Sequence, residues 1–332
     1  MNLIIPMAGK GKRLRPHTLT VPKPLIPIAG KPIVQRLVED IAQVTPEKID
    51  HIGFVIGDFD NEILEQLKEI ANAIGAAPHF YHQKVAEGTA HAVFCASELL
   101  KGKITVAFSD TLFKADFTLN SNNDGIIWTK KVADPSAFGV VKTDSDGIIT
   151  DFVEKPKEFV SDQAIIGIYY FKNGEDLHRE LQYLIDNDIR GGGEYQLTMA
   201  LENLRNKGTR FTLGAVDEWL DCGNKEITVT SNSRYLGLLA GEDLISNDVQ
   251  IENSQIIPPV FIGKGCIIKD SRIGPNVSVG SNCSVVSTNL EDCLIQNNCM
   301  LDSVNLTNSM IGNFVKLNGH PKSVSLGDYS EW

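Results

Sequence analysis

Two hydrophobic rhythms succeed one another along the chain. Up to about residue 235, short apolar runs alternate with stretches whose apolar residues recur at helical spacing. NLIIPM reads as a buried strand, and KPIVQRLVEDIAQV puts Ile33, Leu37 and Ile41, with Val34 and Val38 beside them, on one helical face. HIGFVIG is a second strand and NEILEQLKEIANAIG a second helix, stopped by Gly75; KITVAFSD and DGIIWTKK continue as strands. Strands separated by helices of this length predict a Rossmann-like α/β domain over 1–235, with a mixed, mostly parallel sheet. Ligands gather at the carboxyl ends of such strands.

From about residue 251 the rhythm changes. Ile262, Ile268, Ile273, Val279 and Val285 recur at steps of six, five, six and six. Glycine follows the aliphatic at 262–263, 273–274, 279–280 and 311–312. One large aliphatic per six residues predicts a short left-handed parallel β-helix of hexapeptide repeats over 255–332, joined by a linker at 236–254. Aliphatics would point inward, Asn and Gly would turn the corners, and about three or four coils of roughly 18 residues would fit. A stack that short exposes its ends, so packing on the first domain or on other subunits, and a homo-oligomer, are expected.

Composition narrows the class. The 332 residues are 42% hydrophobic and 22% charged, enough for a sizeable core, with a net charge of −11. That acidic balance argues against nucleic acid or an anionic membrane as partner. No apolar run reaches the roughly 18 residues of a membrane span, and MNLIIP has no basic n-region, so the cytoplasm is the expected compartment. Cysteines stand at 95, 222, 266, 283, 293 and 299 with no CxxC pair, which favours reduced thiols over structural zinc. Cys266 and Cys283 each fall four residues after an inward aliphatic, where a small side chain fits a coil interior.

Against the acidic background, IPMAGKGKRLRP gathers Lys10, Lys12, Arg13 and Arg15 directly after the first strand. Gly9 and Gly11 let the backbone approach a ligand, successive amides can face phosphate oxygens, and Arg13 adds a bidentate donor. The segment is neither a P-loop nor a G-x-G-x-x-G fingerprint. Its full length, IPMAGKGKRLRPHTLTVPKPLIPIAGKP, resembles the signature of the sugar-1-phosphate nucleotidylyltransferases, A-G-x-G-x-R-[LM]-x-P followed by Pro-Lys-Pro. VAFSD, FGVVKTDSDGIITDFVEKP, GGGEYQLT and EWLDCGN extend the resemblance in family order across 1–235.

The resemblance implies transfer of a nucleotidyl group from a nucleoside triphosphate to a sugar 1-phosphate, with Mg²⁺ as cofactor. It places Arg13, Lys23 and Lys155 as catalytic cations, and Asp110 with Asp221 as the metal carboxylates. Ala8, Gly9, Gly11, Gln83, Gly88 and Thr89 fall on nucleotide-binding positions, Gln83 and Gly88 reading the base. Gly139, Glu154, Lys155, Gly167 and Glu194 fall on the sugar-phosphate side. Two departures bear on substrate: Lys12 replaces the usual Thr, and Ile165 stands where relatives using acetamido sugars have Asn. UTP or dTTP with glucose 1-phosphate is therefore favoured. Alternatives are a guanylyltransferase for mannose 1-phosphate, an N-acetylglucosamine-1-phosphate uridylyltransferase with an acyltransferase β-helix, and a non-catalytic regulatory homologue. His17, His91 and His320 receive no role, and Trp332 is read as a packing residue.

Overall fold

The computed structural model describes residues 1–319 and 323–331, so His320 and Trp332 lie outside the described residues. Two compact units emerge. Residues 1–9 and 37–219 form one; residues 10–36 and 220–332 form the other.

The first unit is built on a nine-stranded mixed sheet. Its parallel half orders Ile104–Ala107, Asn2–Pro6, His51–Ile56 and Ala77–His82 side by side. The antiparallel half starts at Gln163–Phe171, which pairs with Ile104–Ala107 on one side and Gly139–Thr143 on the other; Ile149–Glu154 closes that edge. Gly125–Lys131 also pairs with Gln163–Phe171 and, in parallel, with Phe211–Ala215. Leu3, Ile4 and Ile5 are all 0% exposed, as a continuous apolar run in a two-sided parallel strand should be. Asn61–Ala73 begins where the Asp60 side chain accepts the Ile63 amide at 2.9 Å, and the chain turns away at Gly75 with φ +73°. Val93, Leu177, Leu181, Leu201 and Leu204 from three further helices join Ile4, Val106, Ile127, Phe171 and Phe211 in one core. Each such side chain, fully buried, contributes about 1.5–3 kcal/mol.

In the second unit, strands of three residues stack in parallel, one repeat upon the next. Gln250, Ile267, Ser284, Met300 and Lys316 lie in register along one sheet; Val260, Val277, Cys293 and Ser309 do so along another. Partners are 17 residues apart in the first rungs and 16 in the later ones, shorter than the expected 18. The step of five from Ile268 to Ile273 shows where a corner loses a residue. Ile245 already bridges to Ile262, so the stacking starts ahead of residue 255.

Its interior holds Ile262, Ile268, Ile273, Val279, Val285, Leu290 and Ile295, each at most 1% exposed. Asn253, Asn276, Asn282, Asn298 and Asn308 occupy left-handed corners, with φ between 43° and 62°. The glycines after the aliphatics follow the strand ends at Ile262, Ile273, Val279 and Ile311, and they also let consecutive rungs approach: a Cβ on Gly280 would lie 2.7 Å from the Gln296 carbonyl carbon. Cys266, Cys283 and Cys299 point inward, and their thiols donate to the carbonyls of Gly280, Gln296 and Gly312 at 2.9, 3.1 and 3.0 Å.

The helix Lys225–Leu238 packs on this stack and on the short strand Pro27–Ile28. Its buried side mixes apolar Val229, Tyr235 and Leu236 with polar Thr228, Ser231 and Asn232; Asn232, wholly buried, accepts the Ala29 amide at 2.9 Å and the Ser278 hydroxyl at 2.8 Å on one oxygen. Arg36 donates to the carbonyls of Ile28 and Ala29 and lies 4.3 Å from the centre of the Tyr235 ring.

Candidate active site

In the first unit, Ala8 and Gly9 follow Asn2–Pro6, Gln83 follows Ala77–His82, and Asp110 follows Ile104–Ala107. These strands are parallel members of one sheet, so the three segments leave by the same edge. Backbone bonds hold their starts: Met7 N–H to Val55 O at 2.8 Å, Gln83 N–H to Ile56 O at 2.9 Å, and Phe108 N–H to Gly167 O at 2.9 Å. The last of these ties the approach to Asp110 to Gly167 on the antiparallel neighbour. Ser109 Oγ donates to the Pro6 carbonyl at 3.0 Å, linking the Asp110 segment to the strand that carries Ala8.

Gln83, Gly88 and Thr89, expected from sequence on the nucleotide side, border a loop sealed against another loop. Gln83 Nε2 donates to the Gly88 carbonyl at 3.3 Å and toward His91 Nδ1 at 3.2 Å, so His91 supports the side chain that sequence reasoning singled out beside it. Tyr195 N–H donates to Glu87 O at 2.8 Å, Ala90 N–H to Tyr195 O at 2.9 Å, and Leu197 N–H to Thr89 Oγ1 at 2.9 Å. Arg190 locks the pair: it meets Glu87 at 3.1 Å and Asp188 at 2.6 Å, and its guanidinium lies 4.0 Å from the centre of the Tyr195 ring. Hydrogen bonds from Arg190 and the Tyr195 hydroxyl hold the Asp188 carboxylate below its ordinary range. Neither Arg190 nor Tyr195 stood out in the sequence. Glu194 lies on the same exposed loop, its Cβ against Gly88, and is not among the residues lining the cavity described next.

A cavity of about 200 Å³ lies in the same unit, lined by Thr89, Phe108, Gly139, Glu154, Ile165, Gly167, Tyr169 and Thr198 among others. It brings together four of the residues expected from sequence: Thr89, Gly139, Glu154 and Gly167. Gly139 and Glu154 are antiparallel partners, and a Cβ on Gly139 would sit 3.1 Å from Glu154 Oε2. Burial and the Glu154 carboxylate push the Tyr169 phenol above its ordinary value. Beside the cavity, Lys155 adopts φ +42°, held by its N–H to Phe138 O at 3.1 Å, and its exposed ammonium lies 3.8 Å from Glu154.

The second unit carries Gly11, Arg13, Lys23 and Asp221. Lys12–Leu14 forms one tight turn anchored by buried Leu14, which leaves Lys12 and Arg13 exposed. Gly11, at φ +55°, takes a left-handed backbone that strains any L side chain, and a Cβ there would crowd Thr18 at 3.0 Å and Lys23 Cβ at 3.1 Å, so glycine lets the two cationic segments lie close. Lys23, between Pro22 and Pro24, is 9% exposed. Asp221 ends the strand Glu218–Asp221, and its carbonyl accepts the Ser231 hydroxyl at 2.6 Å. A Cβ on Gly223 would lie 2.8 Å from Asp221 Oδ2, so glycine preserves the room around that carboxylate.

Comparison with known proteins agrees with this layout. A glucose-1-phosphate thymidylyltransferase of Streptomyces antibioticus is 28% identical over 100% of this chain and 99% of its own length. The bifunctional protein GlmU of Methanococcus maripaludis is 31% identical over 81% of this chain, which spans only 62% of that protein. The fold is shared with a UDP-glucose pyrophosphorylase solved with UDP-glucose (TM-score 0.58, 23% identity, 71% of this chain and 98% of that one). It is shared also with a putative glucose-1-phosphate thymidylyltransferase from Bacillus anthracis (TM-score 0.60, 22% identity, 73% and 96%). Residues 3–236, which contain both the sheet-edge segments and the cationic turn, match the family described as Nucleotidyl transferase, and the chain belongs to that family.

Proposed function

We propose that the protein joins a nucleoside triphosphate to a sugar 1-phosphate, releasing pyrophosphate and giving a nucleotide sugar. The observation that carries this reading is the common sheet edge from which Ala8–Gly9, Gln83 and Asp110 depart, with the Gly139–Glu154 cavity in the same unit. The names of the relatives, thymidylyltransferase among them, support the reaction class. An oxygen of the sugar 1-phosphate attacks the α-phosphorus in line as pyrophosphate leaves. That oxygen is already ionised near neutral pH, so no general base is needed, and the protein supplies position and charge. Arg13 grips the triphosphate, and Lys23 and Lys155 draw two mutually repelling anions together. Glu154, Glu194 and the backbone at Gly139 and Gly167 bind sugar hydroxyls.

Asp110 and Asp221 offer hard carboxylate oxygens of the kind magnesium takes alongside substrate phosphates, and Gly223 keeps space at one of them. Bound there, Mg²⁺ would neutralise phosphate charge. UTP or dTTP with glucose 1-phosphate is the favoured pair: an amide beside a glycine amide suits a pyrimidine edge, and Ile165 lines the cavity with an apolar surface rather than the amide expected for an acetamido group. The GlmU relatives favour a second reading, UTP with an N-acetylglucosamine phosphate, which Ile165 opposes. We also read the parallel stack as a left-handed β-helix that serves assembly into a homo-oligomer, and the cytoplasm as the compartment. A pyrophosphate-release screen crossing UTP, dTTP, GTP, ATP and CTP with glucose, mannose and N-acetylglucosamine 1-phosphates tests the substrate assignment. Release with none of the pairs would refute it.

A further inference from the structure

Residues 16–20, which follow the cationic turn, are held by the final rung of the parallel stack. His17 is wholly buried, and its Nε2 lies 3.0 Å from Ser325 Oγ. The Thr20 hydroxyl donates to Asp328, whose other oxygen accepts the Asn313 amide at 2.7 Å and so is fixed to the preceding rung. Between these contacts Gly327 meets Pro16 so closely that a Cβ there would fall 2.9 Å from Pro16 Cβ. The held segment connects in turn to the cations: Thr18 Oγ1 donates to Gly11 O at 2.8 Å, Leu14 N–H donates to the same carbonyl at 2.9 Å, and Gly11 packs on Lys23.

We propose that the final rung, Ser325–Asp328, is a working part of the triphosphate grip, with His17 and Thr20 as positioning residues that set Arg13 and Lys23 for the ligand. This rests on reading the turn as the triphosphate site. Two facts argue for more than filler. A surface loop needing only shape would bury an apolar residue at position 17, yet the chain buries an imidazole whose Nδ1 has no partner, an arrangement that is costly unless the Nε2 bond matters. And three independent contacts, one apolar and two polar, converge on four consecutive residues of one rung. The imidazole is held neutral by burial, with Asp328 opposing and Lys225 reinforcing that effect, so it fixes position without adding charge.

Steady-state kinetics on the full-length protein test this, using the nucleoside triphosphate that releases pyrophosphate fastest with glucose 1-phosphate. Thr20→Val, Ser325→Ala and Gly327→Ala should each raise the triphosphate KM on the order of tenfold, since small displacements of a grip are amplified in binding. The sugar 1-phosphate KM should move less than twofold and the thermal midpoint little. His17→Gln, able to keep a bond to Ser325, should act more mildly than His17→Phe. Thr20 is exposed, so its variant reports even where a His17 variant does not fold. Arg13→Ala separates the two levels of the argument. If it raises the triphosphate KM while the three rung-facing variants do not, or while both KM values and the midpoint shift together in them, the inference fails and the site reading stands. If Arg13→Ala leaves the triphosphate KM unchanged, the site reading fails and takes this inference with it.

Discussion

Gly88 and Tyr195 touch backbone to backbone: a Cβ added to Gly88 would lie 2.4 Å from the Tyr195 carbonyl oxygen and 2.7 Å from its nitrogen. At φ +115° the position also disfavours any L side chain. Gly88→Ala is therefore expected to part the two loops rather than merely crowd them. The triphosphate KM should rise by about tenfold or more, since Gln83 loses the carbonyl it leans on. Steady-state kinetics check this; unchanged KM would mean the seam between the loops does not matter to nucleotide binding.

Arg190 spans the same seam through its charge contacts. Arg190→Gln should raise the KM values for both substrates, because Glu87 adjoins Gly88, proposed to read the base, and Glu194, proposed to bind the sugar, lies on the loop that Arg190 braces. A double-mutant cycle with Glu87→Gln is expected to return a coupling of about 0.5–3 kcal/mol in kcat/KM. Additivity would show that the two side chains act separately.

Asp110→Asn should lower turnover by roughly 10²–10³ while leaving the thermal midpoint little changed, as for loss of one oriented charge contact. Adding a chelator such as EDTA to wild type should abolish turnover, and excess Mg²⁺ should restore it. Full activity in the variant would remove Asp110 from the reaction.

Burial lowers His17 from its usual 6.5 to about 4. The unfolded chain therefore binds a proton between those values that the folded chain refuses. Stability is retained above pH 6.5 and declines as pH falls toward 4, by roughly 3 kcal/mol across the window for this one group. Urea midpoints of wild type and His17→Phe, compared between pH 7 and 4, should show wild type falling relative to the variant as the pH falls. Parallel curves would place the acid sensitivity elsewhere.

Burial pushes the Cys293 thiol up to about 11 and removes it from solvent along with Cys266, Cys283 and Cys299. Iodoacetamide at pH 8 should leave all four unmodified in the native protein and label them after unfolding, as read by peptide mass spectrometry. Native labelling of any of them would contradict the inward orientation.

The elements that sequence made legible are those whose period is uninterrupted. NLIIPM, HIGFVIG and the helices at 33–44 and 61–73 stand where their apolar patterns put them, because each buries a continuous run or one stripe. The six-residue rhythm likewise pointed to inward aliphatics, but not to rungs of 16 and 17 residues, since a corner can drop a residue without disturbing the next aliphatic. Lys225–Leu238 buries Thr228, Ser231 and Asn232 among Val229, Tyr235 and Leu236, so its contact face is mixed and offers no purely apolar stripe to read. The loop seam at Gly88 and Tyr195, the Arg190 brace and the seating of His17 on Ser325 depend on residues far apart in the chain, which no local pattern records.

The separation of 308 positions between His17 and Ser325 also bears on how the protein is made. During synthesis the strands of the first unit can associate long before the ribosome reaches residue 325, but the cationic segment near the start cannot take up its final seat until that residue has emerged. Nascent chains arrested short of it should carry a protease-sensitive N-terminal loop on an otherwise ordered body, and closing so long a loop should be among the slowest steps in maturation.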